Sequence, residues 1–249
     1  MTTDLCEILD WDSAFFDRRI ARYRELRCPS GAMAALAAEC VTRSIDCVYV
    51  LIDAGDTESI RNLQQSRAYL ADIRVTFGTQ VAGAVKATLR PSKEHGVRPA
   101  VEADIPALAR LASMSHRDTR FYADSHFDTA SCDRLYEVWI EKSCHGFADA
   151  VFVIDADRGM PSGYVTCTRT DGSSSGSIGL FAVSEDSQGR GFGKALLDAA
   201  VGWFASKGAT DITVSTQLRN LRAVRFYAGT GFVIQRVALW FHLWPRDRG

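Results

Sequence analysis

The sequence predicts an α/β fold, and three observations carry that expectation. Strand-like and helix-like segments alternate along the chain, which argues for helices layered on a sheet. The chain has 249 residues, 47% apolar and 24% charged, the balance of an ordinary globular protein that can bury a sizeable core. In the second half a Gly-rich loop, Gln188 to Lys194, joins a strand to an amphipathic helix.

Each element follows from its local pattern. Met33 to Arg43 reads as an Ala-rich helix and Cys47 to Ile52 as a short buried strand. Asp56 to Ser66 has a helical period with Ile60 and Leu63 on one face, and Tyr69 to Phe77 is strand-like. The polar run Arg90 to Gly96, with Pro91 inside it, reads as a linker dividing a domain over 1–92 from one over 97–249. After a strand at Val97 to Val101, Asp104 is placed to cap a helix carrying Ile105, Leu108, Leu111 and Ala112 on one face. A loop with Arg120, Phe121 and Asp124 precedes a helix from Ser131 to Ser143. Strands at Ala150 to Ile154 and Gly163 to Thr168 are joined by a turn at Asp157 to Pro161. The Gly/Ser-rich run Asp171 to Ser177 reads as a hairpin loop before the strand Ile178 to Val183. The helix Gly193 to Ser206, the strand Ile212 to Thr216, the helix Asn220 to Ala228 and the strand Phe232 to Leu243 complete the chain. Ile60 to Val75 and Leu221 to Val237 echo each other as a helix running into an aromatic-led strand, which fits either a degenerate duplicate or chance recurrence.

Composition also excludes partners. A net charge of −1 gives no basic field for nucleic acid or anionic lipid. The start of the chain lacks the basic and apolar regions of a signal peptide, and no segment has the ~18 apolar residues needed to span a bilayer. The seven cysteines are scattered, with no C-x-x-C pair, so reduced thiols, a cytoplasmic location and no metal are expected. Cys144-His145 is the nearest approach to a metal or nucleophile site, against an exposed helix end.

In Gln188, Gly189, Arg190, Gly191, Phe192, Gly193 and Lys194, glycines let successive amides point into one concavity. The next helix adds unpaired donors and a positive dipole end, and Arg190 and Lys194 add charge, which suits a phosphate or pyrophosphate. The spacing fails the P-loop, because Ala195 follows Lys194, and the Rossmann fingerprint, because Leu196 stands at the third glycine. Gln188, Gly191 and Gly193 instead resemble the Q/R-x-x-G-x-G/A loop of the GNAT acetyltransferase superfamily. Asn220, Ala223, Phe226, Tyr227, Gly231 and Phe232 resemble its second motif. Further segments are similar to the TDP-fucosamine acetyltransferase family: Leu9 to Phe16, Thr119 to Asp124, Leu135 to Ser143, Ser215-Thr216-Gln217 and Phe241 to Trp244.

That resemblance implies a mixed central sheet flanked by helices, behind a degenerate GNAT-like N-terminal domain. It implies direct transfer of an acetyl group from acetyl-CoA to the amine of a dTDP-linked amino-dideoxy sugar. Acetyl-CoA would be held by Phe181, Ala182, Val183, the loop and Asn220, with Tyr227 the general acid that protonates the CoA sulfur. Phe16, Arg120, Phe121, Asp124 and Gln217 would meet the sugar; core packing is the alternative for Phe16, and a solvated pair for Arg120 and Asp124. By residue type His116, His126, Glu137, His242 or a water relay could be the base. The partners are small molecules, and a homodimer is compatible with the family. The alternatives are another small amine as acceptor, or a non-catalytic acyl-CoA-binding module.

Overall fold

The computed structural model describes residues 4–82, 96–156, 159–170 and 172–245. The strands are β1 (Cys6–Ile8), β2 (Ile20–Tyr23), β3 (Cys47–Asp53), β4 (Tyr69–Gln80), β5 (Val97–Pro99), β6 (Ala150–Asp155), β7 (Pro161–Arg169), β8 (Ser175–Val183), β9 (Asp211–Gln217) and β10 (Val233–Leu243). The α-helices that lie wholly among the described residues are α1 (Asp10–Phe16), α2 (Ala32–Thr42), α3 (Thr57–Gln65), α4 (Ile105–Ser115), α5 (Arg120–Ala123), α6 (Thr129–Lys142), α7 (Phe192–Ser206) and α8 (Leu221–Gly229). The ten strands among the described residues form one mixed sheet in the order β1-β2-β3-β10-β4-β9-β8-β7-β6-β5. Most of the expected linker, Arg90 to Gly96, and part of the expected turn at Asp157 to Pro161 lie outside the described residues.

Three apolar clusters fix the layers. Leu196, Leu197, Ala200 and Phe204 of α7 and Tyr227 of α8 pack on Val75, Phe77, Ile178, Ile212 and Val214 of one sheet face. Leu36 and Cys40 of α2 and Leu63 of α3 cover the same face farther along, over Val48, Val50, Ile52 and Phe241. The opposite face carries α4 to α6, with Leu108, Phe121, Leu135, Tyr136 and Ile140 against Tyr49, Val153, Tyr164 and Ala182.

The sheet is interlocked across the two halves. β4 lies between β10 and β9, antiparallel to both, while β10 lies between β3 and β4. The two echoing segments meet face to face, for Val75 pairs with Val237. Their elements match in length as well: β3 and β9 have seven residues each, α3 and α8 nine.

Two local expectations are corrected. Asp104 does not cap α4 with its side chain; it takes the Val101 N–H at 2.8 Å and both Nη groups of Arg98 at 2.7 and 2.9 Å. A bidentate guanidinium outcompetes a helix amide for a carboxylate. Residues 171–177 are not all hairpin loop, because β8 begins at Ser175 and pairs with β7 from Gly176.

Candidate active site

β8 and β9 run parallel but pair only from Ser175 with Asp211 to Ile178 with Val214. Beyond that point β8 continues to Val183 and β9 to Gln217 with no pairing between them. A bulge starts the divergence: Val165 pairs with Phe181 and Cys167 with Ile178, leaving Gly179 and Leu180 opposite the single residue Thr166. Two residues against one bend the strand. The Leu180 N–H donates to Thr166 Oγ1 at 2.8 Å. A Cβ on Gly179 would sit 2.7 Å from that oxygen, so the bulge needs glycine there. The result is a cleft edged by the backbone of Phe181, Ala182 and Val183, where an extended chain can hydrogen-bond as an added strand.

At the end of β8 the Gln188 Nε2 donates to the Val183 carbonyl at 3.1 Å and its Oε1 accepts from Arg222, tying the loop to the strand and to α8. Gly189 and Gly191 have φ of +75° and +85°, a conformation that side chains resist. An added Cβ on Gly189 would meet nothing within 4 Å, so the demand there is conformational and the loop is open at that point. Gly191 is the N-cap of α7 and offers no side-chain acceptor to the helix amides, which leaves donors and a positive dipole end at the loop. Gly193 is different. Its backbone is ordinary, and a Cβ would come to 3.4 Å from the Phe226 ring. Arg190 lies 4.9 Å from the Phe192 ring centroid. Lys194 departs from expectation in reaching Asp198 at 2.8 Å, one helical turn on, so its charge is shared within the helix.

α8 presents Tyr227 beneath the cleft. The ring is buried, with its centroid 5.8 Å from Phe77, 6.3 Å from Phe181, 5.3 Å from Phe226 and 5.8 Å from Phe232. Its hydroxyl has no hydrogen-bond partner among the described residues, and burial holds its pKa well above the ordinary phenol value. A group so placed keeps its proton at neutral pH and has it to give. Asn220 caps α8, its Oδ1 accepting the Ala223 N–H at 3.0 Å, and its amide nitrogen remains to donate to a ligand.

On the opposite sheet face Arg120, Phe121, Asp124 and Phe16 come together, while Gln217 ends β9 at the cleft. The Phe16 ring lies 5.5 Å from Phe121 and 4.7 Å from Phe127, a half-buried packing position. The Arg120 guanidinium carbon sits 3.9, 4.2 and 4.6 Å from the ring centroids of Tyr49, Phe121 and Trp240. Arg120 and Asp124 do not pair directly; His242 stands between them. Arg120 Nη1 lies 2.9 Å from His242 Nε2, and His242 Nδ1 lies 2.6 Å from Asp124 Oδ2. A guanidinium only donates, so Nε2 must accept and the imidazole is neutral with its proton on Nδ1, donated to Asp124. Burial drives the His242 pKa down to about 4, in keeping with that state. Asp124 also accepts from Trp244 Nε1 at 3.0 Å and from the His126 ring and amide at 2.6 and 3.1 Å. Burial alone would raise its pKa, but these donors outweigh it and hold the carboxyl far below the carboxylate range. Asp124 thus acts as a buried bracket, while Arg120 is only half-buried.

Residues 111–232 match the model of the acetyltransferase (GNAT) family. The chain is 30% identical over 237 residues to a dTDP-fucosamine acetyltransferase of Escherichia coli O6:H1, spanning 95% of this chain and 96% of that one. The chain belongs to the GNAT acetyltransferase family. A spore coat polysaccharide biosynthesis protein of Bacillus subtilis is 26% identical over 147 residues, 59% of this chain and 50% of that one. Among solved structures a conserved protein of unknown function from Staphylococcus epidermidis superposes with a TM-score of 0.70 at 12% identity, covering 98% of this chain and 93% of that one. That likeness speaks to the fold.

In this acetyltransferase the side chains that suit a base by type are engaged elsewhere. His116 Nε2 is 2.8 Å from the Tyr164 hydroxyl, and burial lowers its pKa to about 4. His126 is held by Asp124 and stacked on Trp244 at 4.2 Å, and Glu137 lies 3.7 Å from Arg134. Burial raises the Cys144 thiol to about 11, so it is no ready nucleophile. The residues that sequence reasoning missed lie on β4. Asp72 is buried, with Oδ1 taking the Ile73 N–H at 2.8 Å and Oδ2 unpartnered, and burial pushes its pKa up to about 6. Arg74, two residues on, shares its sheet face. The signal was available: Asp72, Arg74 and Thr76 alternate along a strand that otherwise buries Val75 and Phe77.

Proposed function

We propose that this GNAT acetyltransferase moves an acetyl group from acetyl-CoA to the amine of a nucleotide-linked, dTDP-type amino-dideoxy sugar by direct attack. The observation that carries the reading is the cleft between β8 and β9, which opens beside the loop of Gly189 and Gly191 and directly above Tyr227. The full-length match to a dTDP-fucosamine acetyltransferase supports the acceptor class.

The roles follow from placement. Amides of the loop and of the first turn of α7, with Arg190, bind the pyrophosphate of the cofactor. The backbone of Phe181 to Val183 lines up the pantetheine arm, and an N–H there faces the thioester oxygen. Acetyl-CoA supplies the activated acyl group. Tyr227 gives its proton to the departing sulfur. Asn220, through its amide nitrogen, steadies the arm. On the other face Arg120 and Gln217 contact the acceptor, Phe16 and Phe121 wall its pocket, and Asp124 orients Arg120 through His242. Residues 1–92 form a degenerate GNAT-like domain whose β4 is built into the sheet of the catalytic one, 97–249. The matched lengths of β3 and α3 with β9 and α8 support that division. The enzyme works in the cytoplasm, alone or as a homodimer.

A thiol-release assay with acetyl-CoA against a panel of amines tests this. Amine-dependent release is expected with dTDP- or UDP-linked amino sugars only. Faster turnover with a free amino acid, polyamine or aminoglycoside would overturn the acceptor assignment.

A further inference from the structure

Central strands covered by helices on both faces are normally apolar throughout. Here the face of β4 and β9 turned away from α7 and α8 carries Asp72, Arg74 and Thr76 beside Ser215 and Gln217. On the β10 side Trp240 stands beside Asp72, Ala238 beside Arg74 and Arg236 beside Thr76, while Leu180 and Tyr164 make the other flank apolar. Polar side chains in the middle of such a sheet need a partner to offset their burial.

Arg74 has almost none within the protein. It is half-buried, and its Nη2 donates to Ser215 Oγ at 2.9 Å, an oxygen already 3.0 Å from Thr76 Oγ1. No carboxylate pairs with it among the described residues. The charges that reach it are those of Arg236 and Arg120, which add to burial in lowering its pKa. Arg120 likewise has no carboxylate partner among the described residues; it donates to a neutral imidazole and lies over three rings. Asp72, the acid nearest in sequence, is approached instead by Arg219 at 3.5 Å. A desolvated guanidinium facing other cations is unfavourable until an anion arrives, and its fork fits phosphate or carboxylate oxygens in pairs.

We propose that Arg74, backed by Arg120, docks an anionic group of the acceptor, a phosphate or carboxylate carried on the far side of the ring that bears the amine. The proposal rests on the acceptor reading above. β4 stands two strands from β8, about 10 Å where the strands pair and farther at Phe181 to Val183, where β8 and β9 part and the amine must meet the thioester. The Arg74 side chain covers part of that distance, and the acceptor itself spans the remainder.

The test compares Arg74→Gln and Arg74→Lys with the unaltered enzyme on three acceptors: a nucleotide diphospho-amino sugar, an amino-uronic acid, and the neutral methyl glycoside of the same amino sugar. For the anionic acceptor that is used, KM should rise roughly 10- to 100-fold in the Gln variant and less in the Lys variant. KM for acetyl-CoA and the slow turnover of the glycoside should not move. Equal losses on glycoside and anion, or no loss on either, would overturn the proposal. A binding experiment stands apart from turnover: inorganic pyrophosphate and glucuronate are titrated calorimetrically into protein saturated with CoA, so that the Gly-rich loop is occupied. Binding of either anion that Arg74→Gln weakens about tenfold supports the site and names its chemistry. Failure to bind both, or equal binding to the variant, rejects it. If no amino sugar turns over, the acceptor reading falls, and the titration still decides the anion site.

Discussion

Replacing Tyr227 by Phe separates a proton donor from a core ring, because the structure lets the two losses be sized independently. The ring's packing on Phe77, Phe181, Phe226 and Phe232 is kept in the variant. The hydroxyl makes no hydrogen bond among the described residues, so its removal forfeits none and should change stability by less than about 1 kcal/mol. For a chain of this size that corresponds to a melting temperature within a few degrees of the unaltered enzyme's, at roughly 2–4 °C per kcal/mol. If the hydroxyl protonates the departing sulfur, kcat should fall ~10² to 10⁴-fold, or roughly 3–5 kcal/mol of transition-state stabilisation. The dissociation constant of acetyl-CoA should change little, since the proton is given only as charge gathers on sulfur. The sign of the pKa shift fits: burial raises the folded pKa above the unfolded value near ~10, so the protonated form prevails through neutral pH, and any stability linked to it is lost only as pH rises beyond that value. The assay is kcat from thiol release, the dissociation constant by calorimetry and a thermal melt, all on one variant. A kcat within about threefold of the unaltered enzyme, or a loss of activity matched by a marked fall in melting temperature, would refute the reasoning.

Two further outcomes follow. Gly191→Val puts a β-branched residue at φ +85° beside the loop concavity, so it should raise KM for acetyl-CoA far more than KM for the amine, with a stability cost of about 1–2 kcal/mol for the left-handed backbone; unchanged acetyl-CoA affinity in the folded variant would sink the loop assignment. Asp124→Asn removes the charge that four donors share and should cost about 3 kcal/mol in a chemical melt at neutral pH; because the folded pKa of Asp124 is depressed, that stability is present above the unfolded value near ~4 and is lost as pH falls below it, so the gap between the two proteins should narrow in acid, and a gap that stays constant would show that the charge is not what stabilises.

The parts that were legible in the sequence are those governed by local rules. Gly189 and Gly191 announced a left-handed loop because few other residues tolerate that backbone, and α7 announced itself by its apolar period. Strand order was not legible. Nothing in the run Tyr69 to Gln80 says that it will lie between β9 and β10, since that is decided by which edges remain to be paired once β8, β9 and β10 are in place. The bulge at Gly179 was hidden for a related reason: its need for glycine comes from Thr166, on another strand. His242 shows the limit of reading residue types. As a lone histidine it suits a base or a core position equally, and only the approach of Arg120 and Asp124 from α5 and the turn after it fixes it as a neutral bridge.

The interlocked sheet carries the first half of the chain into the site proposed for the second. Gly31 caps α2 at φ +87°, as Gly191 caps α7, yet the segment before it carries Pro29 and Ser30 in place of a Gly-x-Gly run. Asp56 caps α3 by accepting the Ser59 N–H, as Asn220 caps α8 by accepting the Ala223 N–H. Where α8 then places Tyr227, its seventh residue, α3 places Leu63, fully buried. On the proposed division, α3 repeats the length and cap of α8, while the described residues of the first half hold no counterpart of the Gly-x-Gly run or of Tyr227. What it contributes is β4, whose Asp72, Arg74 and Thr76 pave the face next to β9. The two strands that meet at Val75 and Val237 contribute differently: the strand and helix leading into β10 bring Tyr227, the proposed acid, under the cleft, and β4 brings the polar floor to its other side. Removing the first half would leave β9 and β10 without the strand between them, so a fragment of residues 97–249 should lack not only that floor but the hydrogen-bonded partner that holds Gln217 and the cleft edge in place.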